Sequence, residues 1–527
     1  MGEIQRHKGM TLSLLLEEAA LECPQKKAVF CGGASLTYGE LNARAAGLAL
    51  GFQKLGVEAG NRVGIFMGNC LQYLESLFAL AKLGAVAVPI NTFLTGHELV
   101  YILKDSEAKV LVVSNELLER VEGMLDGAET LSHVVRVGDG LPGPIDFEGI
   151  VEQAPADSRG RSVDVHDLAF IVYTSGTTGY PKGAMLTHWN VVTNLHAGTG
   201  AIPLGVEDRM LVFLPMFHVY TLTACLMAPI HSRAAIVLVP SIRPFSRLLK
   251  EIVLKRPTLF MGIPPVYEIL VEKRFPGLTL MLNSIRLYFS AAAPLSEETI
   301  VRFQKKFGRP LLQGYGLSEA SPAICMNRLD EAQRPGSVGR PLEDIEVKLV
   351  DEEGRDVSTG EVGELIAKGP NIMKGYLHLP EETAQTLRDG WLYTGDMARA
   401  DEDGYLYIVD RKKDMIIVHG MNVYPREVEL VLAQHPKVKA SAVIGKSDGL
   451  GERVVAVVQT VDGVDVSSQE LKDFCKERLA PFKVPHMILF RDSLPMTPTM
   501  KIKKKELREE LAAEWEGKPP LQNCAQG

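Results

Sequence analysis

The sequence predicts an α/β protein with a large amino-terminal domain and a smaller carboxy-terminal one. With 527 residues, the chain is long enough for about three or four folding units of ordinary size. Short runs rich in Val and Ile alternate with helical patterns between residues 62 and 290. This alternation is typical of buried parallel or mixed sheets that carry helices on their faces.

The elements of the large domain follow one another in βαβ order. An apolar run at 62–67 precedes a helical pattern at 71–83, and a second apolar run follows at 85–90. Each run is short, as expected for a strand buried on both faces. Further strands are predicted at 109–114, 168–173, 210–214, 235–239 and 285–290.

The pattern changes near residue 346, where the strands become shorter and more polar and Asp-Gly turns appear. This change predicts a small β-barrel-like subdomain from about residue 340. We expect the large domain to span 1–409, a hinge to occupy 410–413, and a compact α+β domain to span 414–527. Within that last domain the pattern predicts strands at 415–418, 440–444 and 454–460 and helices at 425–434 and 467–479.

Composition narrows the classes of partner. Hydrophobic residues at 46% and charged residues at 23% are ordinary globular values, and a net charge of −8 gives no global reason to bind nucleic acid. The 7 cysteines form no CxxC pair, which favours a reduced, cytoplasmic protein. The most apolar stretches, 74–90 and 221–240, contain charged residues and predict no integral membrane segment. Peripheral membrane contact and a homodimer remain open.

The strongest local signal is YTSGTTGYPKG at 173–183, which follows an apolar run. Backbone N–H groups, hydroxyls and one lysine at a strand end suit a polyphosphate. The spacing does not match GxxxxGK[ST], so a Walker-type loop is excluded, and a flexible surface loop is the alternative. The candidate phosphate contacts are Thr174, Ser175, Gly176, Thr177, Thr178, Gly179 and Lys182.

With this loop, five other segments occur in the order found in the adenylate-forming superfamily of acyl-CoA synthetases, luciferases and peptide-synthetase adenylation domains. The chain resembles that superfamily over nearly its whole length, and it is most similar in character to AMP-forming fatty-acyl and related carboxylate-CoA ligases. The five segments are LPMFH at 214–218, QGYGLSEAS at 313–321, YTGD at 393–396, DRKKDMI at 410–416 and LPMTPTMK at 494–501.

The resemblance implies a two-step reaction that uses ATP, Mg²⁺ and CoA. A carboxylate attacks the α-phosphate of ATP to give an acyl-adenylate and pyrophosphate, and the thiol of CoA then displaces AMP. Because the first step brings an anion against an anion, the site needs positioned cations. The resemblance assigns catalytic roles to Lys182, His218, Glu319 and Lys501.

Glu319 is the residue that the resemblance implies as the Mg²⁺ ligand, which fits the use of one carboxylate with substrate phosphates. Tyr315 offers a face for the nucleotide, and Gly314 and Gly316 permit close backbone approach. Ser318 stands where many relatives have threonine. The remaining candidate ATP contacts in this part of the chain are Ala292, Ala293 and Gln313.

In the last part of the chain, the resemblance implies that Asp396 binds the ribose hydroxyls and that Arg411 closes the same region. A salt bridge that stabilises a turn is the alternative for both. Lys413 is the implied hinge residue. Lys501 is the implied catalytic lysine, although Met500 replaces the glycine that usually precedes it, and a basic helix start is its alternative.

The acyl pocket is implied to include His218, as an aromatic gate, with Ala291 and Gly314. A buried core histidine is the alternative for His218. Ala291 replaces a common glycine, and one added methyl group in a pocket wall discriminates between substrates by about 1–3 kcal/mol. We therefore expect a hydrophobic carboxylic acid, either a medium- to long-chain fatty acid or a cyclic or aromatic acid.

Three other functions remain open at this point. The acyl group could pass to the phosphopantetheine of a carrier protein, or the chain could be a luciferase-like oxygenase. A nucleotide-binding regulator with impaired catalysis is the third, for which Met500 is the evidence.

Overall fold

The computed structural model describes residues 9–138, 145–155, 157–174, 181–241, 245–275, 283–293, 295–418, 421–447, 452–496 and 502–515. Its mixed sheets and helices confirm the predicted α/β class. The chain divides into two compact units. Unit 1 comprises Met1–Val347 and Ala367–Tyr393, and unit 2 comprises Lys348–Ile366 and Thr394–Gly527. The predicted hinge at 410–413 stays a prediction.

In the first part of the chain the described residues form 16 strands, seven of which match the predicted apolar runs within two residues at each end. They are β1 (Lys27–Cys31), β2 (Ala34–Thr37), β3 (Arg62–Phe66), β4 (Val86–Pro89), β5 (Ala108–Ser114), β6 (His133–Val137), β7 (Ile145–Asp146), β8 (Leu168–Thr174), β9 (Lys182–Thr187), β10 (Arg209–Val212), β11 (Ala235–Leu238), β12 (Leu259–Gly262), β13 (Leu287–Ser290), β14 (Leu311–Gly316), β15 (Ala323–Met326) and β16 (Arg340–Pro341).

The later strands range from 2 to 10 residues, so only some of them are as short as the sequence pattern predicts after residue 346. They are β17 (Glu346–Val350), β18 (Gly363–Lys368), β19 (Gly375–Tyr376), β20 (Leu387–Arg388), β21 (Trp391–Ala400), β22 (Leu406–Arg411), β23 (Ile416–Val418), β24 (Met421–Val423), β25 (Val438–Ser447), β26 (Glu452–Thr460) and β27 (Met487–Phe490).

Unit 1 is built on two large sheets. One has the strand order β16-β15-β14-β13-β12-β10-β11-β1-β2, and the other has the order β19-β9-β8-β4-β3-β5-β6-β7. Parallel pairs such as β3–β4 and β12–β13 form the centre of each sheet, and antiparallel pairs such as β8–β9 and β14–β15 lie toward one edge. The non-consecutive neighbours confirm the crossover connections that the βαβ pattern predicts.

Helices cover these sheets because their apolar residues recur at helical spacing. The helix predicted at 71–83 is present over that range. Thr37, Thr95 and Thr187 begin helices with capping boxes, which satisfy backbone donors at the helix starts. The α-helices of unit 1 are Leu12–Glu22, Tyr38–Lys54, Leu71–Leu83, Gly96–Asp105, Asn115–Leu118, Phe147–Ile150, His188–Ala201, Ala228–His231, Phe245–Lys255, Pro264–Glu272, Glu297–Phe307 and Pro380–Thr386, with a π-helix at Thr221–Met227.

Unit 2 has its own core around the three-stranded sheet β25-β26-β27. One face packs Val443 and Val458 against Val428 and Leu432 of the helix Pro425–Ala433. The opposite face packs against the last helix through Leu507 and Leu511. The other α-helices of this unit are Ser468–Lys476 and Lys504–Trp515.

A further sheet has five strands, in the order β17-β18-β21-β20 with β22 paired to β21.

The described helices include none that is both long and apolar enough to cross a membrane.

His188 is expected to make the stability of unit 1 depend on pH. The side chain is buried, and its Nδ1 accepts a hydrogen bond of 3.3 Å from the backbone N–H of Leu12. Burial lowers the pKa of His188 to about 4, against the opposing effect of Asp167, whereas an unfolded histidine titrates near ~6.5. Below pH ~6.5 the unfolded chain binds more protons than the folded chain does. The free energy of unfolding therefore falls by about 2 kcal/mol between pH 7 and pH 5.

The comparison that checks this expectation uses urea midpoints at both pH values for the wild type and His188→Gln. The variant keeps an acceptor but cannot titrate, so its midpoint should fall less than that of the wild type. Equal falls in the two proteins would contradict the assignment.

Candidate active site

Two antiparallel strands, β8 and β9, bracket the predicted phosphate loop. Thr174 ends β8 and Lys182 begins β9, and the two residues are direct neighbours across the pair. The structure therefore fixes both ends of the loop. The loop candidates Ser175, Gly176, Thr177, Thr178 and Gly179 lie outside the described residues.

Lys182 lies in a half-enclosed polar environment. Only 11% of its side chain is exposed, and its ammonium group forms an ion pair with the carboxylate of Glu382. The same nitrogen lies 5.6 Å from the ring centroid of Tyr376, within cation–π range. The predicted phosphate lysine is thus held by two residues about 200 positions away in the sequence.

Glu319 contacts the same tyrosine. The Tyr376 hydroxyl donates a hydrogen bond of 2.8 Å to Oε1 of Glu319, and the carboxylate is half-buried in a short turn after β14. Burial raises the pKa of Tyr376 and the negative charge of Glu319 raises it further, so the phenol stays protonated and donates at neutral pH. Lys182 and Glu319, two residues predicted to serve one reaction, therefore both contact Tyr376, the lysine at its ring and the glutamate at its hydroxyl.

Tyr376 reaches this position because β19 adds an edge strand to β9. Tyr376 pairs with Ala184, two residues from Lys182, and its backbone N–H donates to Oγ1 of Thr383 at 2.9 Å. Gly375 has a φ of +145°, and a Cβ there would lie 2.8 Å from a methyl carbon of Thr383. The turn that delivers the tyrosine therefore needs glycine at this position.

The Gly-Tyr-Gly segment forms the end of β14, and both glycines are required by close contacts. A Cβ on Gly316 would lie 2.0 Å from the carbonyl oxygen of Pro322, and one on Gly314 would lie 2.6 Å from the ring of Phe289. Tyr315 and Ser318 are half-buried beside them. These contacts are with the protein itself, so they explain the glycines without showing a bound nucleotide.

The segment that follows β13 lies beside β14, the strand that ends in the Gly-Tyr-Gly segment. Ser290, the last residue of β13, pairs with Gln313, so the chain leaves β13 beside the part of β14 that leads into the Gly-Tyr-Gly segment. Ala292 has a φ of +67°, which a non-glycine residue rarely adopts and which is enriched at functional sites. The hydroxyl oxygen of Ser290 is buried and has no hydrogen-bond partner among the described residues. Ala291 and Ala293 flank Ala292 at this edge.

His218 is half-buried at the end of the LPMFH segment. Asn69 fixes that segment: its Nδ2 donates to the carbonyl of Leu214 at 3.0 Å, and its Oδ1 accepts from the Met216 N–H at 3.0 Å. The imidazole Nδ1 accepts a bond of 3.3 Å from the backbone N–H of Tyr220. The π-helix Thr221–Met227 follows at once, a form frequent at functional sites.

Unit 2 holds a second group of predicted residues. Asp396 and Arg411 face each other across β21 and β22, and Nε of Arg411 lies 3.3 Å from Oδ1 of Asp396. Thr394 orients this corner because its hydroxyl accepts from the Asp396 N–H at 3.1 Å and donates to the Leu365 carbonyl at 2.7 Å. An ion pair is present, as the turn-stabilising alternative expects, and it leaves the ribose role a prediction.

Lys413 lies in a short turn directly after β22 and is exposed. Asp410, three residues earlier, accepts hydrogen bonds from the backbone N–H groups of Arg411 and Arg426, both at 2.7 Å. Asp410 thereby ties the end of β22 to the helix Pro425–Ala433, a contact that the sequence pattern did not indicate. Lys501 and Met500 lie outside the described residues.

The donor set of unit 1 fits a magnesium ion that is bound partly by substrate. Across the described residues, no group of three or more His, Cys, Asp or Glu side chains converges as a metal cage would. Glu319 offers one carboxylate oxygen beyond the one bonded to Tyr376. Magnesium commonly uses one or two carboxylates with phosphate oxygens and water, so Glu319 would hold it only together with a polyphosphate.

A lysine and a carboxylate that contact one tyrosine on an α/β fold are the kind of groups that a nucleotide polyphosphate site uses. Family comparison gives the class a name. The model of the AMP-binding enzyme family matches residues 16–377, and that of the AMP-binding enzyme C-terminal domain matches residues 427–501. The chain belongs to the AMP-binding enzyme family.

Individual relatives agree with this assignment. A long-chain-fatty-acid–CoA ligase of Bacillus subtilis (strain 168) is 38% identical, covering 95% of this chain and 94% of the relative. A feruloyl-CoA synthase of Amycolatopsis sp. is 39% identical, covering 92% and 96%. The crystal structure of an anthranilate CoA ligase with anthranoyl-AMP matches with a TM-score of 0.89 at 31% identity, covering 96% and 98%. The predicted class, an AMP-forming acid–CoA ligase, is confirmed.

The structure brings together some of the predicted site residues and adds two that the sequence did not indicate. Lys182 and Glu319 share Tyr376, and Gln313 lies beside the segment that contains Ala291. Tyr376 and Glu382 were missed because nothing in their local pattern distinguishes them from an edge strand and a solvated helix. Only strand pairing between β9 and β19 reveals them.

Proposed function

We propose that this enzyme activates a hydrophobic carboxylic acid with ATP and Mg²⁺ and then joins the acyl group to CoA. In the first step a carboxylate oxygen bonds to the α-phosphorus, and the bond from that phosphorus to the bridging oxygen breaks, releasing pyrophosphate. In the second step the CoA sulfur bonds to the acyl carbon, AMP leaves, and the thiol proton passes to solvent. The observation that supports this proposal best is that Lys182 and Glu319 contact one residue, Tyr376, the lysine through its ring and the glutamate through its hydroxyl.

The charges of these groups suit the first step. The triphosphate and the incoming carboxylate are both anionic, so the reaction needs fixed positive charge where the negative charge gathers. Lys182 supplies one such charge in a half-enclosed position, where electrostatic interactions are stronger than in bulk water. Glu319 holds Mg²⁺ in this proposal, and that ion neutralises phosphate oxygens when bound.

The other predicted residues complete the proposal. Two segments receive the nucleotide: Ala292 with Ala293, and Gln313 to Gly316 with Ser318. Asp396 and Arg411 receive its ribose. His218, Ala291 and Gly314 line the acyl pocket, Lys413 is the hinge residue, and Lys501 acts on the carboxylate and the α-phosphate. The loop residues 174–179 bind phosphate.

The substrate is proposed from what the relatives act on. Their names specify long-chain fatty acids, ferulate and anthranilate, which share an apolar body and one carboxylate. We therefore propose a medium- to long-chain fatty acid or an aromatic acid, with free CoA as acceptor in the cytoplasm. Transfer to a carrier protein is the second candidate, but the relatives named above are all CoA ligases.

A panel of acids tests this function. The purified enzyme, ATP and Mg²⁺ are mixed with acetate, octanoate, palmitate, benzoate or ferulate, and pyrophosphate and AMP are measured with and without CoA. We expect at least one hydrophobic acid, but not acetate, to give pyrophosphate, and CoA to convert the product to a thioester.

Each alternative predicts a different pattern in the same panel. Release of pyrophosphate without thioester formation, unless a phosphopantetheinylated carrier is supplied, would favour the carrier alternative. ATP binding without pyrophosphate release for any acid would overturn the enzyme proposal in favour of a regulator.

A further inference from the structure

The feature that the reaction does not yet use is the ion pair between Lys182 and Glu382. Glu382 lies in the first turn of the helix Pro380–Thr386, and 31% of its side chain is exposed. The side chain of Lys182 is 11% exposed, and its ammonium group contacts this carboxylate and the ring of Tyr376. The cation proposed for phosphate is therefore already paired with an anion of the protein.

The position of Glu382 is fixed by the fold. Thr383, the next residue, accepts a hydrogen bond from the Tyr376 N–H and donates one of 2.8 Å to the Leu379 carbonyl. These bonds hold the start of the helix against the same strand that presents the ring to Lys182. The carboxylate of Glu382 is thus placed next to Lys182 by a helix start that hydrogen bonds hold in position.

A phosphate that binds Lys182 must compete with this carboxylate. Two anions cannot share one ammonium group in a poorly solvated place without repulsion, because like charges a few ångströms apart cost free energy there. When the phosphate leaves, the carboxylate of Glu382 pairs with Lys182 again. This ion pair offsets the desolvation cost that the ammonium group would have without a partner.

We infer that Glu382 is an internal competitor for Lys182 that weakens pyrophosphate and ATP binding and thereby promotes pyrophosphate release. This role rests on the proposed function, in which Lys182 contacts the polyphosphate. Glu382 is a positioning residue in this account, since it acts on the substrate through the lysine.

The test is equilibrium binding of inorganic pyrophosphate to the full chain by titration calorimetry. Glu382→Gln keeps the shape of the side chain and removes its charge, and we expect the dissociation constant for pyrophosphate to fall by about five- to tenfold. Glu381→Gln is the matched control, because it removes the same charge from an exposed neighbour on the same helix. Its effect should stay below about twofold, as screening of exposed charges predicts.

Two further variants separate the inference from the function on which it rests. Lys182→Ala should weaken pyrophosphate binding, and in that background Glu382→Gln should have no more effect than Glu381→Gln. If Glu382→Gln binds pyrophosphate no more tightly than Glu381→Gln while Lys182→Ala binds it more weakly, the competitor role is overturned and the phosphate role of Lys182 stands. If Lys182→Ala binds pyrophosphate as the wild type does, the phosphate site itself is wrong and the competitor role falls with it.

Discussion

Replacing Glu319 with glutamine is expected to lower the rate of acyl-adenylate formation by about 100-fold or more, the scale seen when a group that stabilises transition-state charge is lost. The substitution keeps the size of the side chain and still accepts the 2.8 Å hydrogen bond from Tyr376. It removes the negative charge that a magnesium–polyphosphate complex needs at this position. The loss should therefore arise from electrostatics, with the fold left intact.

The measurement is acid-dependent pyrophosphate release as a function of Mg²⁺ concentration. Glu319→Gln should need more Mg²⁺ to reach half of its own maximal rate, and circular dichroism should show an unchanged fold. Tyr376→Phe is expected to have a smaller effect. The carboxylate of Glu319 keeps its charge but loses the hydrogen bond from the tyrosine hydroxyl, so we expect the rate to fall by about tenfold. Glu381→Gln, which changes an exposed carboxylate of the same unit, should leave the Mg²⁺ dependence unchanged.

A Glu319→Gln enzyme with a rate near that of the wild type at low Mg²⁺ would contradict the ligand assignment. So would a Tyr376→Phe enzyme with a larger defect than Glu319→Gln, since the tyrosine is proposed to act only through the carboxylate and the lysine.

The elements of unit 1 could be predicted because their signals are local. The run at 62–67, the helix at 71–83 and the strand at 168–173 depend on apolar spacing within a few residues, and the structure has them within one or two positions. The glycines of the Gly-Tyr-Gly segment were also local signals. The structure adds a packing reason for them, because a Cβ at Gly316 or Gly314 would meet Pro322 or Phe289, and their role at the nucleotide stays a prediction.

The partners of the site residues could not be predicted, because strand pairing across the sequence sets them. Tyr376 contacts Glu319, which is 57 residues away, and Lys182 only because β19 aligns on β9. Asp410 was placed in a charged hinge string, yet its two bonds to backbone N–H groups depend on where the helix Pro425–Ala433 begins. A single sequence shows which residue types are available but not which of them the sheet edges bring together.

Replacing Lys501 with alanine is expected to remove most of the first half-reaction and to spare the second. A donor that stabilises developing charge is worth about 2.7–4 kcal/mol, so acyl-adenylate formation should slow by about 100- to 1,000-fold. The second step begins from a finished adenylate, in which no new phosphate bond is formed, and therefore does not use this charge. The measurement is single-turnover formation of acyl-AMP from ATP, set beside thioester formation from synthetic acyl-AMP and CoA.

The lysines that follow Lys501 supply the control, because each of them forms an ion pair within the protein. Lys503 pairs with Glu506 at 2.9 Å, Lys504 pairs with Glu429 at 2.8 Å, and both lie at the beginning of the last helix. These ion pairs are what a basic helix start would use, so Lys503→Ala should change stability slightly and neither half-reaction by more than about twofold. If Lys501→Ala and Lys503→Ala have the same small effect, the basic segment is structural and the catalytic lysine must be sought elsewhere. If Lys501→Ala slows both half-reactions equally, the residue supports the nucleotide site in general and does not act on the charge that forms during adenylation.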